Sequence, residues 1–434
     1  MLRTIDLRGS ALDAATIRAA LPRPADDPGT VQGDVLALIE DVRIRGERAL
    51  LEQADRFDGG RPPAVRVPVE EITAARLALP DDIRAALEIT IERVRAASRA
   101  QLSQPVTTWL GDGARILQRW MPVRRVGLYV PGGRAVYPSS VVMNAVPAQE
   151  AGVRAIAVAT PAQRDHGGRA HPLVLGAAGL LGVDEVYVMG GAGAIGAFAH
   201  GVPGIGLDPV DVVTGPGNVF VAAAKRAVAG LVGIDSEAGP TEILVIADES
   251  ADPELVAADL ISQAEHDVLA AAVLVTDSPS LAAAAAAAVD RRAASTFHAE
   301  RVRTALTAPQ SGIVLVDDRT AAVAVSNAYA PEHLEVQTVD PWPLVADLTE
   351  AGAVFVGAGS PVSLGDYAAG SNHVLPTGGT ARFAAGLSVR PFLRQQQVVD
   401  YSLEALREAR PTVRALADAE GLPAHGDAVD ARFS

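Results

Sequence analysis

The sequence predicts an α/β protein with two parallel-sheet units, a short N-terminal segment and a helical C-terminal tail. Its 434 residues are more than a single small core accommodates, so two or more packed domains are expected. From about Arg125, short apolar runs alternate with helical patterns, which is typical of parallel strands joined by helices. The alternation restarts after the polar segment 236–240, which indicates a second unit.

The region before the first sheet is predicted to be a linker followed by helices. Residues 21–30 contain three prolines and follow a short N-terminal piece, as expected of a linker. Helical patterns cover about 32–57 and 82–102. The second of these follows Pro80, with Asp81 as its expected cap.

Each α/β unit is predicted from its apolar runs. In the first unit we expect strands at 126–130, 153–160, 183–191 and from 210, with helices at 141–151, at 172–182 and up to Gly230. In the second we expect strands at 241–248, 271–277, 311–318, 334–338 and 351–357, with a helix at 253–267. From about Pro391 the pattern is helical.

Composition narrows the possible functions. Hydrophobic residues make up 49% and charged residues 21%, which is typical of a globular chain. The net charge of −15 without a long basic run argues against nucleic acid as the main partner. No apolar run reaches the roughly 18–20 residues that span a bilayer, and the N-terminus lacks the apolar core of a signal peptide. We therefore expect a cytoplasmic protein.

The chain contains no cysteine. Disulfides, thiolate zinc sites and cysteine nucleophiles are therefore excluded. Any bound metal must be held by His, Asp, Glu or Gln side chains.

The segment SQAEHD (262–267) lies at the end of a well-capped predicted helix. Gln263 and His266 are three residues apart, so they share one face of the helix and could hold a metal. Glutamine is an uncommon ligand, however. By spacing alone, a solvated helix end with a structural histidine is the more common interpretation.

The segment APEHLE (330–335) places Glu332 and His333 directly before a predicted strand. A carboxylate and an imidazole in this position are suited to proton transfer. Taken alone, an exposed charged turn remains the simpler interpretation.

Two further clusters are polar. The glycine-rich segment GDYAAGSNH (365–373) contains Asp366 and His373, a composition common in functional loops. The segment EGLPAHG (420–426) contains Glu420 and His425 in the tail, where a histidine is usually just solvated.

Three glycine-containing segments could bind a phosphate. GAGAIG (191–196) matches the G-x-G-x-x-G pattern, GPGN (215–218) joins a strand to a helix, and PGG (131–133) follows a strand. A single such match is weak evidence in a chain with 40 glycines. A nucleotide cofactor is plausible, but none of these segments identifies it.

Taken together, the motifs resemble those of the histidinol dehydrogenase family along nearly the whole chain. The matching segments occur in one order: LYVPGG, TGPGN followed by AAAKR, EAGPTEILVIAD, DLISQAEHD, NAYAPEHLEVQT, GDYAAGSNHVLPT and LPAHGDAV. The resemblance implies two Rossmann-like parallel-sheet α/β domains and a zinc- and NAD-dependent enzyme. Its reaction would be the oxidation of L-histidinol through L-histidinal to L-histidine.

The resemblance also implies a domain division and a homodimer. The expected N-terminal segment is 1–24, and the domain with the metal and catalytic residues comprises 25–120 and 236–385. The domain on the NAD side is 121–235. The tail, 386–434, would contribute to the site of the partner subunit.

The resemblance assigns roles to individual residues. Glu332 and His333 would handle protons, and one zinc ion per subunit would be held by Gln263, His266, Asp366 and His425. The implied substrate contacts are Thr241, Gln263, His266, His333, Asp366, His373, Glu420 and His425. Tyr129, Gly193 and Asn218 would lie on the NAD side.

Position 193 departs from the family pattern. Relatives usually carry glutamine there, in a GGAQAI stretch near the cofactor, and Gly193 creates the GAGAIG match. We therefore do not interpret this match as an ordinary dinucleotide loop. Losing one amide contact would weaken cofactor binding by about 0.5–1.5 kcal/mol, unless a neighbouring side chain or water fills the gap.

Two other functions remain open at this point. One is a related zinc- and NAD-dependent dehydrogenase that acts on another amino or sulfonated alcohol. The other is a catalytically silent paralogue with a binding or regulatory role. Glu420, His373 and His425 favour histidinol, and the Glu332–His333 pair argues against a silent protein.

Overall fold

The computed structural model describes residues 1–24, 28–132, 135–237 and 239–434. Outside this part lie 25–27 of the predicted linker, Gly133 of the PGG segment and Ala238 of the 236–240 segment. No helix in the described part is long and apolar enough to cross a membrane.

The N-terminal part is mainly helical. Its elements are β1 (Arg3–Asp6), α1 (Ala14–Ala20), α2 (Gln32–Arg45), α3 (Glu47–Phe57), α4 (Val69–Leu77), α5 (Asp81–Ala100), β2 (Val106–Gly111) and β3 (Ala114–Pro122). The helical pattern predicted over 32–57 is divided at Gly46, whose φ of +55° an L side chain rarely adopts. Asp81 is the first residue of α5 and not its cap, because Pro80 occupies the cap position.

Five strands within the described residues form a parallel sheet in the order β6-β5-β4-β7-β8. They are β4 (Arg125–Tyr129), β5 (Ala155–Thr160), β6 (Glu185–Val188), β7 (Val212–Thr214) and β8 (Gly233–Ile234). The connecting helices are α6 (Pro138–Glu150), α7 (Pro172–Leu180), α8 (Gly191–His200) and α9 (Val219–Val228). The strand order reverses at β4, and the carboxyl edge at such a reversal is where ligands usually bind.

Helices α2 to α5 pack around the five-stranded sheet. Helix α2 contacts α8 and α9, α4 contacts α7, and α5 contacts α6. The domain division predicted from the sequence places this segment with the other parallel sheet. These contacts favour grouping it with the five-stranded sheet, and the domain limits stay a prediction.

A second parallel sheet contains six of the described strands, in the order β1-β11-β10-β9-β12-β13. Besides β1 they are β9 (Glu242–Ala247), β10 (Ala271–Thr276), β11 (Gly312–Leu315), β12 (His333–Gln337) and β13 (Ala353–Val356). The associated helices are α10 (Pro253–Ala264), α11 (Pro279–Ser295), α12 (Ala299–Thr307), α13 (Arg319–Tyr329), α14 (Pro341–Asp347) and α15 (Val362–Tyr367). Strands β9 to β12 are buried along their whole length, as expected where both faces of a parallel sheet are covered.

The C-terminal region is helical only from Leu403 onward. Its elements are β14 (Leu393–Tyr401), α16 (Leu403–Ala419) and α17 (Pro423–Asp430). The helix predicted from about Pro391 was wrong for β14, which pairs antiparallel with β3, itself paired with β2. The partner strand lies far away in the sequence, so the local pattern does not reveal this pairing.

The two parallel sheets meet near the polar clusters. Glu242 and His333 begin β9 and β12, at the amino edge of the six-stranded sheet, whereas Tyr129 ends β4 at the carboxyl edge of the five-stranded sheet. The loop after α15 connects the two regions, because Asn372 Nδ2 donates to Met143 O of α6 at 2.6 Å. The predicted fold class, two parallel-sheet α/β units with a helical C-terminal region, is confirmed.

Candidate active site

Glu332 and His333 lie at the amino end of β12, between β9 and β13, and are only 6% and 5% exposed. Helix α13 ends at Tyr329, and Ala330 follows with a φ of +50°. This left-handed conformation ends the helix, and for a non-glycine residue it costs about 1–2 kcal/mol. The chain then enters β12 through Pro331.

The main chain of Glu242 holds both side chains. Glu332 Oε2 accepts hydrogen bonds from Glu242 N at 2.9 Å and from Thr241 Oγ1 at 2.5 Å. His333 Nδ1 lies 3.0 Å from Glu242 O. Because a carbonyl oxygen can only accept, Nδ1 carries the proton and donates it, which leaves Nε2 as the acceptor in the neutral ring.

Burial shifts the two pKa values in opposite directions. It raises the pKa of Glu332 to about 8, although the hydrogen bonds from Thr241 and Glu242 oppose the shift. It lowers the pKa of His333, so the imidazole is neutral at neutral pH. The pair therefore contains a neutral proton acceptor next to a carboxyl group that can act as acid or base near neutral pH.

Gln263 and His266 are presented by α10 and the turn that follows it. The N-terminus of the helix is capped by Asp252, whose Oδ1 accepts from Glu254 N at 2.8 Å, and Pro253 occupies the first helical position. It ends at Ala264, so His266 lies in the next turn and not in the helix as predicted. Gln263 is 1% exposed, and its Nε2 donates to Thr241 Oγ1 at 2.5 Å.

Asp366 lies close to several of the other predicted residues. His266 Nε2 is 3.9 Å from Asp366 Oδ2. The Asp366 charge also acts on the pKa values of Glu332 and His333. The clusters SQAEHD, APEHLE and GDYAAGSNH thus converge in the structure.

His373 bridges from this cluster to α6. Its Nδ1 lies 3.0 Å from Asp366 O and therefore donates, so in the neutral ring Nε2 accepts from Ser140 Oγ at 3.1 Å. Burial lowers the pKa of His373, which favours this neutral form.

Ser140 and Glu242 were not predicted from the sequence to be site residues. Ser140 is 2% exposed in the first turn of α6, and Glu242 acts mainly through its main-chain groups. A serine in an apolar helix and a main-chain contact carry no sequence signature, so only the tertiary structure reveals them.

The tail residues stand apart from this cluster. Glu420 and His425 are exposed, and α17 packs against α16. In the described part of one chain, no group of three or more His, Cys, Asp or Glu side chains could hold a metal. Gln263, His266 and Asp366 nevertheless offer nitrogen and oxygen donors of the type that zinc accepts.

The residues predicted to lie on the NAD side surround the carboxyl edge of the five-stranded sheet. Tyr129 is buried at the end of β4, and its hydroxyl accepts from Gly191 N at 3.2 Å. Asn218 caps α9 and accepts from Phe220 N at 3.1 Å and Val221 N at 3.3 Å. Segment 191–196 lies inside α8, so the GAGAIG match forms a helix and not a glycine-rich loop.

Gly193 allows α3 to pack closely against α8. A Cβ at this position would collide with Gln53 Oε1 and lie 3.5 Å from Leu50 Cδ2. The Gln53 amide is anchored by a hydrogen bond from Nε2 to Leu38 O at 3.1 Å. The space beside Gly193 is therefore filled by an amide from another helix.

The chain is similar to known proteins over its full length. The family model for histidinol dehydrogenase matches residues 21–433. The chain is 61% identical to histidinol dehydrogenase from Leifsonia xyli subsp. xyli, covering 100% of this chain and 99% of the relative. It is 55% identical to the enzyme from Mycolicibacterium smegmatis, covering 99% and 97%.

The fold is also similar to a solved structure. The crystal structure of histidinol dehydrogenase from Elizabethkingia anophelis superimposes with a TM-score of 0.92 at 32% identity, covering 100% of this chain and 98% of that one. Together with the family-model match and the identities above, this similarity shows that the chain belongs to the histidinol dehydrogenase family.

Proposed function

We propose that this protein oxidises L-histidinol through L-histidinal to L-histidine in histidine biosynthesis, with NAD as the electron acceptor. Family membership supports this reaction. The observation that carries the assignment of residues is the buried Glu332–His333 pair, held by the main chain of Glu242 near Asp366.

Gln263, His266 and Asp366 would hold the zinc ion implied by the family. Their nitrogen and oxygen donors suit this metal, and His266 Nε2 and Asp366 Oδ2 lie 3.9 Å apart. When bound, zinc supplies a fixed positive charge that orients the amine and imidazole nitrogens of the substrate. Thr241 orients the Gln263 amide, and Thr241 and His373 would also contact the substrate.

His333 would accept the alcohol proton through Nε2 in the first oxidation. Its Nδ1–H bond to Glu242 O fixes the tautomer that leaves Nε2 free to accept. NAD, when bound, accepts the hydride that leaves the substrate carbon. Tyr129 and Asn218 would contact NAD, and Gln53 in place of a side chain at Gly193 would line the same region.

Glu332 would activate water in the second oxidation. It would remove a proton from water as the water oxygen bonds to the aldehyde carbon, and the carbonyl oxygen would take the proton that His333 accepted in the first oxidation. The neutral His333 would then accept a proton again as the second hydride leaves. A thiohemiacetal route is excluded because the chain contains no cysteine. A bound aldehyde must stay shielded from solvent between the steps.

The tail of a second copy of the chain would complete the site. Glu420 and His425 are exposed on their own chain, and His425 would be the fourth metal ligand. The exposed apolar side chains Leu416 and Leu422 next to them favour docking onto another molecule. The functional unit would thus be a homodimer.

A spectrophotometric assay tests the reaction. Purified protein with histidinol and NAD should produce about two NADH per histidinol, because each of the two oxidations transfers one hydride. Turnover only with a different alcohol would contradict the substrate assignment. Tight binding of histidinol without turnover would indicate a silent binding protein.

Metal removal tests the proposed ligands. Chelation should abolish turnover, and added zinc should restore it. A His266→Ala variant should bind zinc more weakly, as measured by competition with a chromophoric chelator. Full activity after verified removal of the metal would contradict the role of zinc.

A further inference from the structure

Arg23 connects the N-terminal segment to the base of the candidate site. It lies in the proline-rich stretch that the sequence predicts to be a linker, yet its side chain is only 22% exposed. Its guanidinium binds the buried Glu242 carboxylate with two bonds, from Nε to Oε1 at 2.6 Å and from Nη2 to Oε2 at 3.2 Å. A bidentate contact of this kind fixes both partners in orientation.

The same guanidinium holds the end of α13. Nη2 donates to Tyr329 O and lies 3.4 Å from Ala330 O, and the guanidinium stacks on the Tyr329 ring at 4.1 Å from its centroid. The last carbonyls of a helix lack partners within the helix, so Arg23 satisfies groups that need a donor. These contacts fix the turn through Ala330, the one non-glycine residue with positive φ in the described chain.

Both partners of Arg23 are directly connected to Glu332 and His333, the pair proposed to transfer protons. On one side, the Ala330 turn is followed by Pro331, Glu332 and His333. On the other side, Glu242 N donates to Glu332 Oε2 and Glu242 O accepts from His333 Nδ1. Gly378 N also donates to Glu242 Oε1 at 3.2 Å, so the loop after His373 is attached to the same carboxylate.

We propose that Arg23 is a positioning residue that sets the orientation of Glu332 and His333 through Glu242 and the Ala330 turn. This inference rests on the proposed function, because it assigns those two residues the proton transfers. Arg23 touches neither side chain in the described contacts and therefore acts through its partners. The N-terminal segment is thus part of the catalytic apparatus and not only a linker.

Arg23 also pairs with the Glu242 carboxylate, whose charge acts on Glu332. The Glu242 and Asp366 charges both act to raise the pKa of Glu332, and His333 Nδ1 lies 3.5 Å from Glu332 Oε2. Removing Arg23 would leave the Glu242 carboxylate without its cation. The pH range over which the rate of histidinal oxidation rises as Glu332 ionises should then move to higher pH.

The test compares Arg23→Met and Arg23→Lys with a matched control, Arg3→Met. Arg3 is also in the N-terminal segment and also binds carbonyl groups, because its Nη2 donates to Ala20 O at 2.7 Å and to Pro309 O at 2.5 Å. Unlike Arg23, it contacts none of the site residues in these hydrogen bonds. The measurements are kcat and KM for histidinol and NAD, and the pH profile of the histidinal-to-histidine step.

Arg23→Met should lower kcat by about 100-fold, the loss expected when a reacting group is misplaced by about 1 Å. The KM for NAD should stay within about twofold, because the predicted NAD contacts lie on the other sheet. The kcat of Arg23→Lys should lie between that of Arg23→Met and that of the wild type, since lysine keeps the charge but not the bidentate contact. Arg3→Met should keep the wild-type kcat.

A double variant separates the effect of the unpaired Glu242 charge on the pH profile from the effect of Arg23 loss on kcat. Adding Glu242→Gln to Arg23→Met removes the unpaired carboxylate. The pH range over which the rate of histidinal oxidation rises should then return towards its wild-type position, while kcat stays low. Folding is checked by circular dichroism and thermal unfolding, and Arg23→Lys provides the comparison if Arg23→Met does not fold.

A folded Arg23 variant with the wild-type kcat and pH profile would overturn the inference, as would an equal loss in Arg3→Met. A wild-type protein that does not oxidise histidinol would contradict the proposed function instead. The two failures are therefore distinguishable.

Discussion

At the residue scale, Glu332 and His333 are neighbours in the sequence, but burial moves their pKa values in opposite directions. In both cases burial disfavours the charged form. The result is a neutral imidazole with a defined tautomer next to a carboxyl group with a pKa of about 8. The two proposed chemical roles would therefore arise from a single dipeptide.

Replacing His333 by asparagine should slow both oxidations by about 10²–10⁴-fold, the usual contribution of a proton-transfer group. The asparagine amide can still donate to Glu242 O, but the acceptor corresponding to Nε2 is lost. The rates with histidinol and with supplied histidinal measure the two steps separately. Normal oxidation of either compound would contradict the shared role.

The rate of histidinal oxidation should depend on pH through Glu332. A base acts in its ionised form, so the rate should rise as pH increases through about 8 and level off above that value. The pKa of His333 is lowered, so its neutral form persists throughout this range. A plateau already reached near the ordinary glutamate pKa of 4.5 would show that Glu332 is not the base.

The sequence was sufficient to identify the polar clusters but not their connections. Motif order suggested Glu332, His333, Gln263, His266, Asp366 and His373, and the structure brings them into one region. Glu242, Ser140 and Arg23 were missed because their contacts join positions far apart in the chain, such as Ser140 with His373. Long-range hydrogen bonds leave no local pattern to detect.

At the element scale, a buried acidic pair joins α10 to β12. Asp259 on α10 and Glu335 on β12 are both buried beside Gln337, whose Nε2 donates to Glu335 Oε1 at 3.0 Å and lies 3.4 Å from Asp259 Oδ2. Burial beside Asp259 raises the pKa of Glu335 to about 9, so the pair holds a proton at neutral pH. This contact ties the helix of Gln263 to the strand of His333.

The Glu335→Gln variant should make stability less dependent on pH. In the wild type, the folded state keeps a proton that an unfolded glutamate loses near pH 4.5, so this contribution is present below pH 4.5 and is lost as pH rises to about 9. A glutamine at position 335 does not titrate, and its amide can donate to the Asp259 carboxylate. The unfolding temperature of the variant relative to the wild type should therefore increase across this range, and a constant difference would contradict the assignment.

The elements differ in how well the sequence predicted them. The buried strands of both parallel sheets were recognised from continuous apolar runs. Strand β14 was missed because its stability comes from pairing with β3, and the edge strand β1 was missed because it pairs with β11. Distant pairing and not local propensity determines both.

At the scale of the whole molecule, the candidate site lies where the amino edge of one parallel sheet approaches the carboxyl edge of the other. The residues proposed to hold zinc and to transfer protons within one chain come from the six-stranded sheet and its loops, and the predicted NAD contacts come from the five-stranded sheet. His373 and Asn372 connect the two through α6. In the proposed homodimer, the exposed tail residues of a second copy would complete the site.

Exchange of the tail predicts complementation between two inactive variants. A His425→Ala chain supplies an intact His266, and a His266→Ala chain supplies an intact tail. Co-expressed chains that pair at random should recover about a quarter of the wild-type activity, because one of the two sites in each mixed dimer is complete. If each tail served its own chain, the mixture would stay inactive.

The yield of NADH per histidinol in wild type and Glu332→Gln tests the central claim most directly. The division of roles predicts about two NADH per histidinol for the wild type and about one for the variant, with histidinal accumulating, because one hydride leaves in each step. About two NADH from the variant at the wild-type rate would contradict the assignment of Glu332 to the second oxidation. Equal loss of both steps would contradict the division of roles between Glu332 and His333.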